Sequence, residues 1–107
     1  MFYIAVILYE SSSNVPHYKP LYEECFTLIE ATSLEEAREK ARVCAKNNEH
    51  SYENVCGETI TWVTKKIVDV NNVLDDSFKN YTDLYARHFR NYEAYHSFES
   101  LLSEEEI

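Results

Sequence analysis

Few side chains in this sequence are of a type and spacing suited to chemistry. The four histidines, His17, His50, His88 and His96, stand at no metal-ligand spacing from one another or from a cysteine. The three cysteines, Cys25, Cys44 and Cys56, form no C-x-x-C pair, and their odd number does not make a disulfide framework. They read as buried, reduced thiols of a cytoplasmic protein. Arg87-His88-Phe89-Arg90 is the one basic cluster. His88 as acid–base and Arg87 as a phosphate clamp is the chemistry it would offer. Pairing with nearby carboxylates is the structural alternative, and no second catalytic group is identifiable. Glu23-Glu24 and Asp75-Asp76 are hard-cation donors by type. Adjacent carboxylates on a strand point to opposite faces, however, so neither pair is a ready chelate. A chain with one glycine cannot build a phosphate-cradling loop, and neither G-x-S-x-G nor H-E-x-x-H occurs. No catalytic group, metal or cofactor is assigned.

The elements that would position these groups follow from hydrophobic periodicity. Phe2 to Tyr9 is a strand with apolar residues on both faces, which marks a central, doubly covered position. Ser11 to Pro20 reads as a loop and Leu21 to Ala31 as a second strand. Ser33 and Glu36 form a capping box, and Leu34, Ala37, Ala41 and Cys44 give the apolar stripe of a helix that ends at Asn47-Asn48. Tyr52 to Gly57 reads as a connection, and Glu58 to Val70 as a long strand in which Lys65-Lys66 marks a bulge or an exposed stretch. Asn71 to Asn80 is a polar turn region, and Tyr81 to Phe89 is the fourth strand candidate, although it also scans as helix. Tyr95, Phe98, Leu101 and Leu102 belong to a second amphipathic helix from about Asn91, whose acidic end, 101–107, is expected to fray.

The fold expected is α+β: a four-stranded, mainly antiparallel sheet in the order β-β-α-β-β-α, with the helices on one face and all 107 residues in one domain. The other face is then left with aromatic side chains, and apolar surface of that extent marks an interaction site.

Charge narrows the partners. There are 10 Lys and Arg against 19 Asp and Glu, a formal net charge of -9. That argues against nucleic acid and against anionic membranes, both of which select clustered cations. It suits solubility, or steering of a basic partner. Nine Tyr, five Phe and one Trp make 14% aromatic residues, types that recur at interfaces and in strands alike.

Several of these residues also form a pattern. Pro20-Leu21-Tyr22-Glu23-Glu24, Ala31-x-Ser33-x-Glu35-Glu36-Ala37, Tyr52-x-Asn54-x-x-Gly57-Glu58-x-x-x-Trp62, Val68-Asp69-Val70 and Tyr85-x-Arg87 resemble a family of short bacterial proteins classed as a domain of unknown function. The resemblance runs from the first strand to about Phe89. It implies a bacterial cytosolic protein, implies no reaction, and marks Glu58, Trp62 and Arg87 as matched positions without an assigned purpose.

The functional expectation is a non-catalytic protein-binding module, most concretely an acidic toxin-neutralising, immunity-type protein. Its candidate partner-binding residues are Tyr22, Glu23, Glu24, Glu58, Trp62, Asp75, Asp76, Tyr85 and Arg87. One alternative is a self-associating structural or regulatory module that dimerises through the open sheet face. Another is an enzyme or small-ligand binder in which Tyr85, Arg87 and His88 converge near Glu58.

Overall fold

A computed structural model describes residues 1–99. The expected fraying of 101–107, and the helical positions of Leu101 and Leu102, lie outside the described residues. The elements are β1 (Phe2–Ser13), β2 (Tyr22–Glu30), α1 (Leu34–Asn47), β3 (His50–Glu53), β4 (Thr59–Asn72) and α2 (Tyr92–Phe98). All four strands join one antiparallel sheet in the spatial order β2-β1-β4-β3.

The doubly apolar strand β1 is central, flanked by β2 and β4. It continues past Tyr9, because Ser11, Ser12 and Ser13 pair with Trp62, Thr61 and Ile60 of β4. Serines read as loop residues by composition, yet Ser11 is fully buried and fully bonded. Its Oγ accepts from Leu21 N at 2.8 Å, donates to Leu21 O at 3.2 Å and lies 2.6 Å from the Tyr18 hydroxyl. The register of β1 against β4 shifts twice, skipping Val68 and Lys65. The second shift is the bulge expected at Lys65-Lys66.

The sequence of element types is the expected one, but two strands are placed differently. The fourth strand is the short β3, which includes Tyr52, a residue read as part of a connection. Tyr81 to Phe89, expected as a strand, is irregular. It is entered through a turn in which Phe78 and Tyr81 take left-handed φ of 54° and 69° and Thr82 N donates to Lys79 O at 3.2 Å. The segment then contributes Tyr85 to the packing beside Ile4 and Val6 instead of extending the sheet at an edge.

α1 starts where the sequence signals it. Glu36 N donates to the Ser33 side chain at 3.1 Å. The Glu36 carboxylate reaches one residue further back than a standard capping box, accepting from Thr32 N at 3.2 Å and from Thr32 Oγ1 at 3.0 Å. Those bonds, with Lys40 a turn later, hold its pKa below the ordinary value of 4.5. The buried stripe is Ala37, Ala41 and Ala45, whereas Leu34 is exposed; the cysteines expected to be buried are not, since Cys25 and Cys44 are half-buried and Cys56, in the hairpin turn, is exposed. Alanines let the helix lie close on one sheet face, where they pack with Tyr3, Ala5, Ile7, Ile29 and Val70.

The expectation that both helices share this face is corrected by the other side of the sheet. Ile4 and Val6 point there and are buried with Val73, with Phe2, Val68 and Tyr85 against them. Phe26 pairs with Val6 and so shares that face, and Ala94, Tyr95 and Phe98 of α2 line a cavity with it. The physical reason is the double apolarity of β1. Both rows of its side chains need cover, and the chain after β4 supplies the second layer, anchored by Val73 N donating to Phe2 O at 3.0 Å.

Candidate functional site

The β3–β4 hairpin explains the motif from Tyr52 to Trp62. Asn54 N donates to Glu58 O at 2.9 Å and Gly57 N to Asn54 O at 3.0 Å. The Asn54 side-chain oxygen accepts from Cys56 N at 2.9 Å and Glu58 N at 3.0 Å, while its amide nitrogen donates to the Glu58 carboxylate at 3.2 Å. Gly57 sits at φ 81°, a left-handed conformation that a Cβ disfavours. Asn54, Gly57 and Glu58 thus build the turn, and the flanking aromatics do something else. Tyr52 pairs with Ile60, and Trp62 with His50, on the same face as α1.

There the four-turn helix stops short and leaves a groove of about 640 Å³ beyond its C-terminal end. Tyr52, Trp62, His50 and Asn48 line it together with Tyr9, Glu23 and Cys25. Asn48 Nδ2 donates to the Tyr9 hydroxyl at 3.0 Å, and the His50 Nδ1–H donates to Asn48 O at 2.8 Å. His50 stacks on Tyr52 with ring centroids 5.9 Å apart. Burial first, opposed by the bond from Asn48, raises the Tyr9 hydroxyl pKa above its ordinary value. Burial, then the contact with Glu23, also raises the Cys25 thiol, so Cys25 is not activated as a nucleophile.

The opposite face carries a second, open cavity, of about 670 Å³, lined by Glu24, Phe26, Tyr85, Arg87 and His88 together with Ala94, Tyr95 and Phe98 of α2. The Tyr85 hydroxyl donates to Asp69 at 2.7 Å, and its ring lies 5.9 Å from that of Phe26. Burial and that carboxylate push the Tyr85 pKa up. Around the cavity the surface is apolar: Tyr22, Phe26 and Leu28 of β2 are more than half exposed, as are Phe89, Tyr92 and Phe98. Phe89 stacks on Tyr95 at 4.8 Å. At the rim, the Tyr22 hydroxyl donates to Glu10 at 2.8 Å, and Lys65 lies 3.6 Å from Glu10 and 5.9 Å over the Tyr22 ring.

The nine sequence-derived candidates therefore do not form one patch. Tyr22, Glu24, Tyr85 and Arg87 belong to the second face, while Glu23 and Trp62 belong to the groove on the first. Glu58 is spent on the hairpin turn. Asp75 and Asp76 lie in the loop after β4, where Asp75 accepts from Ser77 N at 3.0 Å and is held below its ordinary pKa by Ser77. Tyr85, Arg87 and His88 do converge on one cavity, without Glu58. The residues that sequence reading missed are Tyr9, Asn48 and His50. For His50 the signal was the Asn54-x-x-Gly57-Glu58 turn, which sets His50 opposite Trp62 in a hairpin centred on Cys56.

Among the described residues, no cluster of three His, Cys, Asp or Glu is arranged to hold a metal ion, and no helix is long and apolar enough to cross a membrane. Residues 2–86 match the family described as Domain of unknown function (DUF4288). That span contains every residue lining the first-face groove, but stops before Arg87 and all of α2 in the second-face cavity. No curated protein and no solved structure matches the chain.

Proposed function

This chain belongs to the DUF4288 family, a domain of unknown function, and we propose that it is a non-catalytic protein-binding module that engages its partner through the second sheet face. One observation carries the reading. Tyr22, Phe26 and Leu28 stand exposed on the same side of β2, and Phe26 lines one cavity with the exposed Phe89 and Phe98. Aromatic anchors of this kind supply most of the energy of protein interfaces. The net charge of -9 favours a basic partner and fast association. In its most concrete form the protein neutralises a basic toxin, in a reducing cytosol where its three cysteines stay unpaired.

A second reading has its own support. β2 is an edge strand of nine residues, and an unpaired edge offers a template for a second copy. Sedimentation over a concentration series separates the two. A monomer that binds a basic partner supports the first, and a homodimer broken by a β2 substitution supports the second.

A further inference from the structure

The geometry points to a second binding site, for an organic cation, in the groove at the C-terminal end of α1. It lies on the sheet face opposite the proposed protein interface, so either can fail without the other. Four features favour positive charge there. Trp62 and Tyr52 line the groove, and aromatic rings attract ammonium and guanidinium groups. The Glu23 carboxylate lines it as well. Asn47 and Asn48 place the end of a 14-residue helix against it, the end whose carbonyls carry partial negative charge. Among the described residues that line it, none is Lys or Arg; Lys46, on the last turn of α1, lines a different depression beside Thr64.

The framework is fixed before any ligand arrives. Asn48 is held between the Tyr9 hydroxyl and the His50 ring, and His50 stacks on Tyr52. His50, its Nδ1 bonded to Asn48 O, lines the groove beside Tyr52. A volume of about 640 Å³ suits a small amine or one basic side chain. Two sources share that chemistry, a free ammonium compound and an arginine of another protein.

Trp62 is the only tryptophan of the chain, so its emission reports occupancy directly. The test titrates the full-length protein with choline, with its neutral isostere 3,3-dimethylbutan-1-ol, and with the tripeptide Gly-Arg-Gly. A saturable change with a cation, roughly three- to thirtyfold tighter than with the isostere, is expected. Tyr52→Ala should weaken it roughly fivefold and Glu23→Gln roughly two- to fivefold. Both side chains are exposed, and circular dichroism checks that the variants fold. Tighter choline assigns a free amine and tighter Gly-Arg-Gly a protein side chain. An isostere that binds as well as choline, or no saturable change with either cation, overturns the site.

Discussion

The two faces of the sheet share one central strand but are finished differently. On the first, α1 lays three alanines against Tyr3, Ala5 and Ile7, and the contact is closed. On the second, Ile4 and Val6 are covered by Val73 and Tyr85 of the irregular segment after β4, the seven-residue α2 buries none of its residues, and the rest of β2 stays bare. A regular helix seals a surface with small residues and little tolerance. An irregular layer seals only what lies directly beneath it, and leaves large side chains available to something else.

That contrast can be broken by substitution. Ala41 is fully buried between α1 and the sheet, so Ala41→Leu should cost about 1–3 kcal/mol in denaturant unfolding. Leu28→Ser on the second face should cost no more than about 0.5 kcal/mol. Equal losses would mean that the second face is packed as tightly as the first. Gly57→Ala probes the hairpin that carries Tyr52 and Trp62. The nearest atom to an added Cβ is 3.9 Å away, so the loss of about 1–2 kcal/mol comes from backbone conformation alone. Tyr85→Phe removes the bond to Asp69 that ties the irregular layer down, at about 1 kcal/mol near neutral pH. Because folding raises the Tyr85 pKa above 10.0, its contribution is fully present below pH 10 and fades as pH rises through the folded value. The phenylalanine variant should lose less stability than the parent over that alkaline range, measured by thermal melts.

Much of the first face was legible in the sequence. The doubly apolar β1, the capping box at Ser33 and the bulge at Lys65-Lys66 are local signals, and each was read from neighbouring residues. The misplacements were non-local. His50–Glu53 is too short and too exposed to show a period, and becomes a strand only because β4 offers it an edge. Tyr81–Phe89 has strand-like composition but ends up covering a face, a choice made by the unpaired row of Ile4 and Val6. Site residues divided the same way. Glu23 and Glu24 went to opposite faces by simple alternation, whereas the convergence of Tyr9, Asn48 and Trp62 depends on the long-range pairing of β1 with β4, which sets Tyr9 opposite Thr64 and Ser11 opposite Trp62.

The central claim is that the bare second face binds a protein. It is tested most directly by sedimentation velocity of the parent chain and of Phe26→Asp, each alone over a concentration series and each mixed with the product of the adjacent open reading frame. The account predicts a parent monomer that forms a one-to-one complex, weakened by salt, and a folded variant that forms none. A complex of undiminished stability with Phe26→Asp would contradict it.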